Sequence, residues 1–152
     1  MRRQSGFTLI ELVIVIVVLG ILAALAVPRF ISLQREARIA VIDSLFNSVR
    51  SGSNLVYAKS AAVGQSDMAS GSVDIDGPGP GGAIATVFGY PAATSAAMTL
   101  LFDNLSPRYN LVATSGTTLR MDIDGIITCT VTYVQPATAG APPTISRNIT
   151  GC

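Results

Sequence analysis

The sequence predicts an α+β protein in which one long N-terminal helix packs on a small antiparallel sheet. Three observations carry this. Residues 7–27 form a nearly unbroken apolar run. After Pro28, the residues Ile42, Leu45, Phe46, Val49 and Val56 fall on one stripe at helical spacing, with Arg35, Arg38, Asp43, Asn47 and Arg50 on other faces. Beyond residue 64, short stretches alternate apolar and polar residues between clusters of Gly, Pro, Asn and Asp.

The apolar run has Thr8 and Glu11 as its only conventionally polar residues. At ~1.5 Å per residue it reaches about 31 Å as a helix, the thickness of a bilayer's hydrocarbon core. Three readings compete for it. Arg2 and Arg3, residues 12–23 and Ala24-Leu25-Ala26 match the three regions of an ordinary signal peptide cleaved after Ala26. A charge at Glu11 is unhelpful there. The β-branched residues 13–18 suit a buried strand, yet the run is several times a strand's usual span. A retained membrane helix fits best, because a helix satisfies its own backbone groups in lipid.

That helix continues to about residue 61, apolar all round at first and amphipathic later. Gly20 weakens it by ~1 kcal/mol relative to Ala. Pro28 lacks an N–H and is expected to kink or loosen the preceding turn. Residues 64–82 read as loop, with Val73 and Ile75 in a short strand. The run at residues 77–82 lacks the Lys and Ser/Thr of a phosphate loop and reads as a turn.

Residues 83–91 read as a strand and 93–105 as a short helix. Thr94 or Ser95 caps that helix, and Met98, Leu101, Phe102 and Leu105 form its apolar face. Residues 109–113, 117–123 and 126–135 read as strands, with a tight hairpin at Asp124-Gly125. Leu119, Met121 and Ile123 alternate with polar residues, as do Cys129, Val131 and Tyr133. This suits a sheet with one covered face, and the helical stripe is the obvious cover. The remaining tail is rich in Pro and Gly.

Composition narrows the function. Ten basic and nine acidic residues give a net charge of +1, which is no electrostatic footprint for nucleic acid. There is no His and no Trp, so Ser-His-Asp chemistry and His-ligated metal sites cannot form within one chain. Cys129 and Cys152 fit no CxxC pattern. With an export-type start they read most simply as one disulfide made in an oxidising compartment, and two buried thiols are the alternative. The entropy model gives roughly 3–3.5 kcal/mol for closing that loop. Arg residues flank the apolar run on both sides, so charge does not orient it. The disulfide does, by placing the cysteines outside and the N-terminus inside.

Asp74-Ile75-Asp76-Gly77 and Asp122-Ile123-Asp124-Gly125 are the same tetrapeptide. Asp74, Asp76, Asp122 and Asp124 are weak Ca²⁺ candidates, since that ion takes oxygen ligands. Neither stretch is a full EF-hand loop, and both read first as Asp-Gly turns. Asn148-Ile149-Thr150 is a glycosylation sequon, and Asn104-Leu105-Ser106 is a poorer one because Pro107 follows. No constellation supports catalysis. No cofactor is expected.

Gly6-Phe7-Thr8-Leu9-Ile10-Glu11-Leu12 resembles the processing site of type IV prepilins. The resemblance implies cleavage between Gly6 and Phe7 and N-methylation of Phe7. The family's assembly glutamate falls on Glu11, and its helix-weakening Gly and Pro on Gly20 and Pro28. The implied organisation is a leader at 1–6, a transmembrane and assembly helix at 7–28, an amphipathic half at 29–63 and a sheet head at 64–152 with a C-terminal disulfide loop. The implied partners are prepilin peptidase, the inner-membrane pilus assembly machinery, the membrane itself and further copies of the chain in a helical filament. The implied location is the bacterial inner membrane, with N-terminus cytoplasmic and head periplasmic, and then an extracellular pilus.

PRFISLQREAR, VFGYPAAT and the CTVTY…GC ending are similar to the MSHA (mannose-sensitive haemagglutinin) pilins, which implies a role in surface or cell adhesion. A type II secretion pseudopilin shares the N-terminal helix and processing site. The cysteine pair favours the pilin, whereas a Ca²⁺ site without a disulfide favours the pseudopilin. A secreted binding protein or enzyme released after Ala26 is the alternative from another class.

Glu11 has its own physics. A charged carboxylate inside a bilayer is costly, less so near the edge. No Lys or Arg lies three or four residues away, so its side-chain neighbours offer no compensation. Cleavage creates an α-amine at Phe7, four residues back, which could come from the same chain or a neighbour. A neighbour's amine would align incoming subunits in register. Alternatively, Glu11 sits at the headgroup level.

Overall fold

The computed structural model describes residues 6–75, 82–102, 105 and 109–152, leaving aside the side chains of 27–32. The leader residues 1–5, the 77–81 part of the Gly-Pro run, Asp76, Asn104 and the Pro28 side chain fall outside that description. The chain divides into two compact units, Met1–Ala37 and Arg38–Cys152. Helix α1, Leu9–Ala62, contributes to both.

In the first unit, the β-branched stretch 13–18 is helical, so length and backbone satisfaction override strand propensity. The window Leu9–Ala26 has a mean hydropathy of 3.1 and is 0% buried. It is long and apolar enough to cross a membrane by length and composition. The helical backbone runs through Gly20 and through position 28.

In the second unit, the predicted stripe of α1 is the core face. Ile42, Leu45, Val49 and Val56 are buried, and Phe46 is half-buried. The stripe tolerates a serine because the Ser53 hydroxyl donates to the Val49 carbonyl at 2.6 Å, one turn back. The helix stops at Gly64, whose φ of +73° suits a residue without Cβ. Gly64 N–H bonds the Ala61 carbonyl and Gln65 N–H bonds the Ser60 carbonyl at 2.8 Å, which together satisfy carbonyls of the last turn in a Schellman motif.

Two antiparallel sheets follow. Strands β1 (Gly71–Val73), β2 (Ile84–Val87) and β3 (Tyr90–Pro91) form one, in that order. Helix α2, Ser95–Leu101, comes next, with Thr94 as its N-cap accepting from Ala97 N–H. Strands β4 (Tyr109–Ser115), β5 (Thr118–Ile123), β6 (Thr130–Val134) and β7 (Thr144–Asn148) form the second sheet as a meander.

Helix α2 is shorter than the expected 93–105 and Ile75 lies outside β1, and three larger features also depart from the sequence reading. The stretch 83–91 is a hairpin instead of one strand, and it belongs to the smaller, three-stranded sheet. Phe88 and Gly89 turn it, with φ of +48° and +81°. Positive φ at both central residues suits a two-residue hairpin, but sequence statistics reserve it for Asn and Gly, so Phe88 hid the turn. Gly89 is required by space as well. A Cβ there would stand 2.9 Å from the Tyr57 ring and 3.0 Å from the Ser66 backbone.

The last expected strand begins at Thr130, not residue 126. Asp124 and Gly125 also have positive φ, and Ile126 N–H closes that turn onto the Ile123 carbonyl at 2.9 Å. A second turn follows, from Cys129 N–H to the Ile126 carbonyl. Finally, the Pro/Gly-rich tail contains β7, paired with β6 through Tyr133↔Ile145 and its neighbours. Four of its five residues are exposed, so no apolar alternation announces it.

The main core joins Ile42, Leu45 and Val49 of α1 to Leu119, Met121, Ile123, Val131 and Tyr133 of the sheet, with Met98 of α2. A smaller cluster holds Val56, Val73, Ile84, Ala92 and Ala97. Cys129 and Cys152 are bonded, with Cα atoms 4.9 Å apart, and both are buried in the main core.

Tyr133 is fully buried, and its hydroxyl donates to the Pro91 carbonyl at 2.7 Å, tying β6 to β3. Burial pushes its phenol pKa above the ordinary 10.0, against a smaller lowering by Ser53. The unfolded chain releases this proton at a lower pH than the folded one. The stabilisation is therefore complete below about pH 10 and is lost as pH rises beyond it. Tyr133→Phe is expected to cost about 1–2 kcal/mol at neutral pH by stranding the Pro91 carbonyl, and to flatten the alkaline decline. Urea unfolding at pH 7 and above pH 10 measures both.

Candidate assembly site at the helix N-terminus

Gly6, Phe7 and Thr8 are non-helical and exposed, and α1 begins at Leu9. Phe7 is 82% exposed, so the Gly6–Phe7 bond lies in accessible backbone outside the helix. What ends the helix here is Thr8. Its N–H donates to Glu11 Oε2 at 2.9 Å, and its hydroxyl donates to the same oxygen at 2.7 Å. Glu11 N–H in turn points at Thr8 Oγ1, 3.3 Å away. This is a capping box, in which N-cap and N3 residues satisfy each other's otherwise unpaired backbone N–H groups.

The capping box corrects one expectation. No Lys or Arg at helical spacing compensates Glu11, yet Thr8 does. The missed signal was the Thr-x-x-Glu spacing itself, which marks a helix start. The carboxylate also sits at the positive end of the helix dipole, where a negative charge is favourable.

The other predicted residues fall in different places. Gly20 is exposed, with nothing within 4 Å of its Cβ direction. The disulfide brings Cys129 and Cys152 together as expected. Among the described residues, Asp74, Asp122 and Asp124 are not gathered into a cation site. Asp122 is 1% exposed and its Oδ2 lies 3.3 Å from both Nε and Nη2 of Arg120, so a guanidinium stands where a metal would. Asp124 is exposed on its turn, and Asp74 is half-buried after β1. Among the described residues no three His, Cys, Asp or Glu side chains cluster for a metal. At the Asn148 sequon, the side-chain oxygen accepts from Thr150 N–H and hydroxyl at 3.1 and 2.7 Å, an ordinary local turn.

Residues 1–27 match the prokaryotic N-terminal methylation motif. The chain is 57% identical over 49 residues to the type IV narrow pilus major component of Thermus thermophilus, covering 32% of this chain and 42% of that protein. It is 58% identical over 40 residues to the type II secretion system core protein G of Pseudomonas aeruginosa, covering 26% and 28%. It is 39% identical over 98 residues to the type IV major fimbrial protein FimA of Dichelobacter nodosus, covering 63% and 59%. The matched stretches therefore span less than two thirds of each of these relatives. No solved structure matches. The chain carries the prokaryotic N-terminal methylation motif at its start, and its long apolar helix, antiparallel sheets and Cys129–Cys152 disulfide fit the type IV pilin fold.

Proposed function

We propose that this chain is a structural filament subunit, cleaved between Gly6 and Phe7, methylated at Phe7, and polymerised into an MSHA-like type IV pilus used for surface or cell adhesion. The observation that carries this is the exposed apolar helix Leu9–Ala26, with a capped carboxylate at its start. Such a surface needs cover. Lipid supplies it while 7–28 anchors the subunit in the inner membrane, N-terminus cytoplasmic and head periplasmic. Packing against identical helices supplies it afterwards, since heterologous contacts that do not close generate an open helical fibre. Prepilin peptidase and the inner-membrane assembly machinery are the partners on that route. The role calls for no catalytic centre and no cofactor. In this reading, the segment between Gly20 and Pro28 yields during packing.

A type II secretion pseudopilin is the second reading, supported by the likeness to core protein G. The Cys129–Cys152 disulfide favours the pilin. Mass spectrometry of the mature protein is expected to find methylated Phe7 at the N-terminus. A start at Val27 would instead make this a secreted protein with an ordinary signal peptide and end both filament readings. Sheared surface fibres containing the chain then separate pilus from pseudopilus.

A further inference from the structure

A cleft of about 320 Å³ opens between α1 and the segment leading into β7. Its walls are Phe46, Arg50 and Asn54 on one side and Pro142, Pro143 and Ile145 on the other, with Ser53 at its base. We propose that this cleft binds one ring of an acidic sugar, its carboxylate on Arg50 and its hydroxyls on Asn54. The site is the same in a pilin and in a pseudopilin, so it does not depend on which filament the chain builds.

Charge selects the anion. Arg50 is exposed, and among the described residues no acid pairs with it. The nearby Arg147 differs, because it bonds Asp43 while its guanidinium lies 6.0 Å from the centre of the Phe46 ring. Arg50 is thus the one charged wall residue, and its planar fork matches a carboxylate through two parallel hydrogen bonds.

The remaining walls select the rest of the ligand. Pro142 and Pro143 have no N–H, so neither can donate to the backbone of an extended peptide. Ser53 already donates its hydroxyl to Val49. What remains is flat apolar surface from Phe46, the two prolines and Ile145, plus the Asn54 amide, which both donates and accepts. A pyranose offers the complement, an apolar C–H face rimmed by hydroxyls. The volume is at the small end of ligand sites and suits a single ring.

The probe is D-galacturonic acid, titrated by calorimetry into the full chain in a non-ionic detergent. Saturable binding with Kd on the order of 1 mM is expected. Arg50→Gln is expected to weaken it about tenfold, Arg50→Lys less, and Asn54→Ala about threefold. Neutral galactose, and N-acetylglutamate as an acidic peptide mimic, are each expected to bind at least about tenfold more weakly. The proposal is overturned by no saturable binding, by galactose or N-acetylglutamate binding as tightly as galacturonic acid, or by an unchanged Kd in Arg50→Gln. Because Arg50 and Asn54 are exposed, circular dichroism of both variants is expected to be unaltered. Should Arg50→Gln fail to fold, the Asn54→Ala and competing-sugar measurements still decide.

Discussion

Chains carrying Glu11→Ala are expected to be cleaved after Gly6 at close to the normal rate and to form almost no filaments. Cleavage needs the exposed Gly6–Phe7 backbone, which the substitution leaves in place. Assembly, in the proposed route, needs the carboxylate. Thr8 occupies only Oε2 of Glu11. The proposed cleavage then creates an amine at Phe7, four residues back in sequence and outside the helix, with an unperturbed pKa of about 8. That amine is a second partner for the same carboxylate, and when it belongs to a neighbouring subunit it sets the register between them.

The expected drop in sheared surface fibres is at least about tenfold, with processing on an immunoblot changed less than about twofold. Glu11→Gln separates the two roles of this residue. Glutamine can still close a capping box but carries no charge. Fibres from Glu11→Gln but not Glu11→Ala would assign the effect to the cap, and failure of both assigns it to the charge. Normal fibres from Glu11→Ala would show that the amine–carboxylate argument is wrong.

The second large effect concerns the disulfide. Replacing Cys129 and Cys152 by Ser is expected to cost roughly 3–3.5 kcal/mol, the loop-closure entropy of the 23-residue separation. For a unit of this size that lowers Tm on the order of 10 °C. Thermal melts of the full chain in detergent, with and without reductant, measure it. The wild type under reductant is expected to follow the double variant. An unchanged Tm in both would mean that packing alone holds the C-terminal region.

Where the sequence was legible, a single physical rule dominated locally. The stripe from Ile42 to Val56 obeys helical spacing because the helix buries one face, and Leu119, Met121, Val131 and Tyr133 obey period two because the sheet does the same. Where two rules competed, the reading failed. Phe88 occupies a positive-φ turn position that sequence alone assigns to small or polar residues, so a hairpin looked like one strand. Strand β7 takes its place from pairing with β6 and from the disulfide loop, neither of which leaves an apolar pattern. At the candidate site, Gly6, Phe7 and Glu11 were legible as a motif. Thr8 was passed over because compensation for Glu11 was sought in charge, and it arrives as hydrogen bonds.

The order of pairing in the four-stranded sheet has a consequence for the chain before oxidation. Strands β4, β5 and β6 are joined by short connections, whereas β7 arrives only after the loop that follows β6. Until β7 pairs, the outer side of β6 is an open ladder of N–H and C=O groups, which the strand of a neighbouring chain can occupy. Forming the disulfide raises the local concentration of β7 at that edge and shuts out intruders. For a subunit of the proposed filament, oxidation therefore guards against the wrong kind of polymer, one joined through sheets.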